Sequence, residues 1–378
     1  MLYLDHAATS PVRPEVREAM EPYLTEMFGN PASHHTAGEA AARALEDARA
    51  RVARVFGVRT GDVVFTAGGT EANNLAVKGL VLGGLTSGRR RLVVSPIEHE
   101  SIRESAAYLA RFHDVSVSMP SVDATGRVSP AALDAVLTDD TLLVSVGHAN
   151  NEIGTVQDVA ALREVARAQG ALLHVDAVQS AGWLALDGLD ADAVSIAGHK
   201  LGAPKGTGAL VVRGRLPLEP VLHGGGQERG RRSGTVDVAG AVGLATALEL
   251  AERGRAGTVA LVGATTSRFI AAVRRLIPEA AVTGHPVHRL PGTASFTIAG
   301  VGGEAVLLEL ERRGVISSSG SACAAGSDEP SPVLLACGIA PEVAQTAVRF
   351  TFGRSPLPAD APERLAALVS AAVDAVRR

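Results

Sequence analysis

Lysine is scarce in this chain: among 36 basic side chains only Lys78, Lys200 and Lys205 are lysines. Lys200 follows the apolar run Ala193 to Ile196 and the pair Gly198-His199, so it stands where a buried strand would end. Taken alone, such a lysine is a solvated charge. Other strand-like runs end on equally reactive residue types. Asp62 to Phe65 leads into Ala67-Gly68-Gly69-Thr70-Glu71, where glycines let backbone N–H groups approach a phosphate as a helix opens. Arg91 to Ser95 leads to His99, Leu142 to Val146 leads to Asn150-Asn151, and Ala171 to Val175 leads to Asp176, with Gln179 close behind. A carboxylate closing an apolar strand is costly to bury unpaired, which predicts a cationic partner for Asp176. An amine, a buried carboxylate, an imidazole and a phosphate loop together describe a site for pyridoxal phosphate. The lysine would form a Schiff base, and the aspartate would keep the pyridine nitrogen protonated so that the ring can take electrons. Lys78 falls within a helical stretch and Lys205 in a turn beside Pro204, so Lys200 is the candidate amine.

These residues can meet only if their strands run side by side. Helical patterns over Thr70 to Leu80, Glu100 to Phe112, after Ser129-Pro130 and over Asp158 to Gln169 alternate with the apolar runs. That alternation predicts an α/β fold with a mainly parallel sheet covered on both faces, and a ligand at the carboxyl ends of its strands. A Gly-rich segment, HGGGQERGRRSGT, precedes a helical stretch at about 238–276. Beyond it the pattern becomes α+β, with strands at Ser295 to Ile298 and Val348 to Phe352 and helices at Glu304 to Arg313 and Pro362 to Val376. We expect a large domain over 14–252. Residues 1–13 and 253–378 form a smaller domain that carries a Gly/Ser/Ala-rich loop at about 316–329.

Composition sets outer bounds. A chain of 378 residues with net charge −4 offers no basic field for nucleic acid. No apolar run stands out at the ~20 residues of a membrane span, and the N-terminus lacks a signal-peptide pattern, so we expect a cytoplasmic protein without direct membrane contact. The two cysteines, Cys323 and Cys337, are too few for a disulfide framework and have no zinc spacing. Cys323 lies in the small-residue loop SSSGSACAAGSDEP, whereas Cys337 sits in the apolar stretch PSPVLLACGIA and reads as a buried small hydrophobe. No metal site is expected. A GxGxxG after the early strands is missing, which argues against a nucleotide-dependent dehydrogenase.

The stretches YLDHAATSPV, FGNPAS, VVFTAGGTEANNLAVKG, HANNEIGTVQD, HVDAVQSAG, GHKLGAPKGTGAL, HGGGQERGRRSGT, SSSGSACAAGS and VRFTFGR occur in this order along nearly the whole chain. Together they resemble the cysteine desulfurases of the NifS/IscS type, in the class V aminotransferase fold group. The resemblance implies a fold-type I pyridoxal-phosphate enzyme that converts L-cysteine to L-alanine and leaves the sulfur as a persulfide on an enzyme cysteine. It implies Lys200 as the Schiff-base lysine and Cα base, Asp176 at the pyridinium nitrogen, and His99 stacked on the ring and moving protons. Asn151 and Gln179 would bond the ring hydroxyl region. Gly69, Thr70 and His199 would take the phosphate, helped by Thr235 from the other subunit of a homodimer. Arg349 would anchor the substrate carboxylate, ahead of Arg354, with Asn30 and Asn151 also facing substrate. Cys323 would carry the persulfide to sulfur-acceptor proteins, for iron–sulfur cluster assembly or for thiolation.

One position departs from the family pattern. Where the family often has a hydroxyl residue three places before the lysine, donating to the phosphate, this chain has Ala197. Water or Ser195 is a possible substitute donor, and weaker cofactor retention is the expectation. Two other readings share the site residues: another class V enzyme such as a selenocysteine lyase, which need not depend on Cys323, and a cofactor-binding scaffold without turnover.

Overall fold

The computed structural model describes residues 1–320 and 329–378, so Cys323 and most of the loop around it lie outside the described residues. The chain opens with the short strand β1 (Leu2–Tyr3) and then builds a seven-stranded sheet. Its strands are β2 (Val63–Thr66), β3 (Arg91–Val94), β4 (Ser116–Ser118), β5 (Thr141–Gly147), β6 (Leu172–Asp176), β7 (Ala193–Ala197) and β8 (Gly208–Val212), in the order β2-β8-β7-β6-β5-β3-β4. Strands β4, β3, β5, β6 and β7 pair in parallel, as expected. Strand β8 is the exception and runs antiparallel to both β7 and β2. The link from β7 to β8, residues 198–207, is too short for the crossover that parallel neighbours need.

Alternate residues of each strand feed opposite cores, which is the period of two that a pleated strand imposes. Val63, Phe65, Val144, Val146, Val194 and Ile196 face the core built with helices Thr36–Phe56 and Val238–Arg253. Val64, Leu92, Val94, Leu143 and Leu210 face the other core, where helix Glu100–His113 packs. There the helix predicted over Thr70 to Leu80 proves to be a longer run. It is α-helical over Gly69–Asn74, widens to a π-helix over Leu75–Gly79, and returns to α over Leu80–Gly84. Such π segments often mark functional regions.

The second unit is an antiparallel sheet of β9 (Ala280–Val282), β10 (Thr293–Ile298) and β12 (Ala347–Thr351), in the order β12-β10-β9. Helices Arg255–Leu276, Gly303–Arg312 and Ala361–Arg377 cover it, around a nucleus of Phe269, Phe296, Phe350 and Phe352. The helical stretch at 238–276 is thus two helices divided at Gly254, one for each core. By length and composition, Arg255–Leu276 is apolar enough to cross a bilayer, contrary to the sequence expectation; here it sets Val262, Phe269, Ala272 and Val273 into the second core. The N-terminal segment belongs with this unit: β1 pairs with β11 (Val315–Ile316), Leu4 enters the aromatic core, and Asp5 bridges to Thr351.

Candidate active site

At the carboxyl edge of the large sheet lies a cavity of about 620 Å³. Gly68, Gly69 and Thr70 reach it from β2, Glu98 and His99 from β3, and Asn151 from β5. Asp176 reaches it from the end of β6, Gln179 follows from the same connection, and Ala197, His199 and Lys200 come from β7. Arg349 enters from β12 of the smaller unit. The strand-end logic therefore brings together Gly69, Thr70, His99, Asn151, Asp176, Gln179, His199, Lys200 and Arg349.

The site is roofed by the N-terminal segment, which carries it to the second core. Lys200 Nζ donates to the carbonyls of Ala7 and Ala8, the latter at 2.7 Å. Gln179 Nε2 donates to the Ala7 carbonyl at 3.0 Å. His199 lies with Nδ1 3.2 Å from Thr9 Oγ1, and its pKa is pushed down to about 4 by burial, then by the charges of Lys200 and Lys205. The imidazole of His199 is therefore neutral and offers a hydrogen bond to an anion without adding charge. Of the other lysines, Lys205 is exposed at the cavity rim, and Lys78 lies 4.5 Å from the centre of the Tyr108 ring.

The Asp176 carboxylate is buried, and both of its oxygens accept from neutral donors: Asn73 Nδ2 at 2.7 Å on Oδ2 and the Val178 N–H at 2.8 Å on Oδ1. Next to it Glu98 is fully buried, with Oε1 accepting from the Gly147 N–H at 2.8 Å and Oε2 without a partner among the described residues. Burial first, and Asp176 after it, push the Glu98 pKa up to about 8, so this carboxyl is protonated at neutral pH. A carboxyl group oriented by two neutral donors beside a neutral acid suits a protonated ring nitrogen. The phosphate end also fits. A Cβ on Gly69 would come within 2.8 Å of Val178 Cγ2 and 3.2 Å of Ala197 Cβ, so only glycine leaves the loop open there. The residues present fit pyridoxal phosphate at both ends.

Arg349 is 1% exposed and already engaged: Nη2 pairs with Asp5 at 2.6 Å, and Nη1 donates to the carbonyls of Asn151 and Gly320. Its Nε has no partner among the described residues. Arg354 lies instead in an adjoining cavity of about 300 Å³, stacked over Trp183 and bonded to the carbonyls of Gly182 and Ala181. Two candidates do not reach the main cavity. Asn30 is an exposed turn residue whose Oδ1 accepts from the Ala32 N–H. Thr235 is exposed at a separate small cavity beside Arg232 and Gly206, outside this chain's own site. Ser195 cannot replace the hydroxyl missing at Ala197, because it is buried within the sheet with Oγ 2.9 Å from His174 Nε2. Cys337 is buried, and burial pushes its thiol up to about 11, so it is no nucleophile.

Sequence reasoning passed over Asn73, Glu98 and Ser101, which touch or flank the predicted residues. The signals were present in Thr-Glu-Ala-Asn-Asn after the glycine loop and in Glu98 and Ser101 on either side of His99. The Gly-rich segment after β8 also finds its role. Glu228 makes a buried bidentate pair with Arg49 and accepts from the Phe65 N–H, while Arg232 pairs with Glu71 at 2.8 Å. The segment thereby braces β2 and the start of the phosphate loop.

A mainly parallel sheet with this cavity at its carboxyl edge, joined to a smaller α+β unit, is the architecture of fold-type I pyridoxal-phosphate enzymes. Residues 2–357 match the aminotransferase class-V family. The chain is 40% identical to a cysteine desulfurase IscS of Dictyoglomus turgidum, over 93% of this chain and 89% of that protein. It is 41% identical to an IscS-like cysteine desulfurase of Mycobacterium tuberculosis, over 100% and 98% of the two chains. The solved structure of a NifS-like protein superposes with a TM-score of 0.91 at 31% identity, covering 99% of each chain. The protein belongs to the class-V aminotransferase family, among the cysteine desulfurases of the NifS/IscS type.

Proposed function

We propose that the protein is a pyridoxal-phosphate-dependent cysteine desulfurase that converts L-cysteine to L-alanine and leaves the sulfur as a persulfide on Cys323. The observation that carries this reading is the convergence of Lys200, Asp176 and His99 on one cavity. When bound there, pyridoxal phosphate supplies an aldehyde for amines and a ring that accepts an electron pair from Cα. Asp176 holds the proton on the ring nitrogen. Gly69, Thr70 and neutral His199 hold the phosphate, and Thr235 of a second copy completes that cradle in a homodimer. Arg349 anchors the substrate carboxylate. Lys200 Nζ takes the Cα proton and returns a proton to Cα after the Cβ–S bond has broken, as alanine requires. Cys323 Sγ, as thiolate, attacks the substrate sulfur; an S–S bond forms, the Cβ–S bond breaks, and the electron pair stays on carbon, which takes up a proton. The persulfide then passes to acceptor proteins that build iron–sulfur clusters or thiolate other molecules.

The test is the visible absorbance of the purified protein before and after L-cysteine with dithiothreitol, with sulfide and alanine assayed together. Equal amounts of both products are expected, and a yellow protein that releases neither would overturn the reading. Cys323→Ser is expected to keep the cofactor and its spectral response to cysteine while releasing no sulfide. Full turnover by that variant would instead favour a class V enzyme that does not use a cysteine.

A further inference from the structure

One hydrogen-bonded chain joins two of the site residues through side chains that have no assigned role. Asn73, 1% exposed on the helical run behind the phosphate loop, uses its Nδ2 twice: towards Asp176 Oδ2 at 2.7 Å and towards Ser101 Oγ at 3.0 Å. An amide nitrogen has two hydrogens, and both are engaged here. The carboxylate accepts only, so the amide orientation is set by Asp176. Ser101 Oγ has received one hydrogen bond, and its own proton is directed to His99 Nδ1, 2.8 Å away. The backbone N–H of Ser101 donates to the same Nδ1 at 3.0 Å. A ring nitrogen that receives two donors must present its lone pair, so the proton of neutral His99 resides on Nε2.

From this chain we infer that Asn73 and Ser101 are positioning residues for the reaction, fixing the Asp176 carboxylate and the Nε2–H tautomer of His99 as one unit. The inference rests on the proposed roles of Asp176 and His99 and deepens them. It makes His99 a proton donor from its free nitrogen at the start of turnover, since its other nitrogen is closed by Ser101. The remaining end of Asn73 supports the assignment. Its Oδ1 is buried with no partner among the described residues. A buried acceptor left unpaired is destabilising, so an apolar residue of similar volume would pack at least as well. What the amide provides is the bridge.

The test uses the holoenzyme. Histidine labelled with nitrogen-15 reports the tautomer of His99, its signals assigned by their loss in His99→Gln. The wild type is expected to show Nε2 protonated and Nδ1 bare. Asn73→Leu frees Ser101 Oγ to accept instead of donate and Ser101→Ala removes it, so the N–H of residue 101 is left as the one fixed donor to Nδ1; each variant is expected to admit a population protonated on Nδ1 and to lower kcat roughly 10- to 100-fold, within the usual reach of one general acid. They should also shift the acid limb of the pH profile while cofactor content and melting temperature hold. Ser101→Thr, which restores the hydroxyl, should recover both readouts. If Asn73→Leu fails to fold, Ser101→Ala decides alone, because it leaves the Asn73–Asp176 bond in place. Folded variants with an unchanged His99 tautomer and an unchanged pH profile would overturn the proposal. Failure of the functional reading looks different: His99→Gln and Asp176→Ala would then keep full turnover, whatever the tautomer.

Discussion

Two polar rows cross the same strands, one inside the sheet and one at its edge. The inner row is Ser145 on β5, His174 on β6 and Ser195 on β7, all fully buried. His174 Nδ1 lies 2.8 Å from Ser145 Oγ and Nε2 lies 2.9 Å from Ser195 Oγ, so the ring is satisfied at both ends. Burial pushes its pKa down to about 3, and it stays neutral. Two residues further along the same face stand Gly147, Asp176 and Ala197, with Glu98 alongside. Here Glu98 Oε2 and Asn73 Oδ1 are left without partners among the described residues, and Ala197 offers no polar atom at all. A closed network holds a sheet together, and an open one waits for a ligand. The two rows differ in the completeness of their hydrogen bonding.

The sharpest way to break the comparison is to remove one member from each row. Asp176→Ala is expected to cut turnover by roughly 10²- to 10⁴-fold, the reach of a lost proton-holding group, with little loss of stability. His174→Ala is expected to do the reverse. It strands two buried hydroxyls beside a cavity and should cost about 2–4 kcal/mol in urea unfolding, with turnover per folded molecule within about twofold of wild type. Equal losses of turnover in the two folded variants would erase the distinction.

Glu98 gives the next largest effect, and its sign follows from its pKa. The group is pushed up to about 8 from an ordinary 4.5, so between those values the folded protein holds a proton that the unfolded chain has released. Stability from this group is therefore complete below about pH 4.5 and is lost as pH rises through about 8. At ~1.4 kcal/mol per unit over the span from 4.5 to about 8, the loss reaches at most roughly 5 kcal/mol. Glu98→Gln should flatten that decline, measured as unfolding free energy at pH 5 and pH 9. A wild type whose stability does not fall over this range would show that Glu98 is ionised, and the edge row less closed to water than the structure implies.

The legibility of these rows in the sequence differs for a physical reason. Strand ends are marked by a change from apolar to reactive residues, so Asp176, His99, Lys200 and the glycine loop were each visible, and parallel pairing was enough to collect them. Strand β8 was not legible as a reversed strand, because its apolar run looks the same in either direction; only the short link before it carries the information. Asn73 and Ser101 were hidden for another reason. They sit on helices, where polar residues are common, and their role depends on which helix face meets Asp176. Asn30 closes a local turn with its own carbonyl and side chain, outside this chain's cavity. The role proposed for Thr235 would need a second chain, which no single sequence lays out in space.

The smallest expected effect concerns the missing hydroxyl. Ala197 is 1% exposed, lines the cavity, and lies beside the space that Gly69 leaves by lacking a Cβ. A serine there would place Oγ in that space, where a phosphate oxygen would accept from it. Ser195 cannot do so, because its hydroxyl is committed to His174 in the inner row. A charge-assisted hydrogen bond contributes ~1.5–3 kcal/mol in gross terms, and about 1.4 kcal/mol is a tenfold change in an equilibrium. Ala197→Ser should therefore slow cofactor loss on dialysis by about tenfold, read from the absorbance left on the protein, without changing the sulfide-to-alanine ratio. An unchanged loss rate would mean that the backbone N–H groups of the glycine loop and neutral His199 already saturate the phosphate. The edge row would then be open at its carboxylate end only.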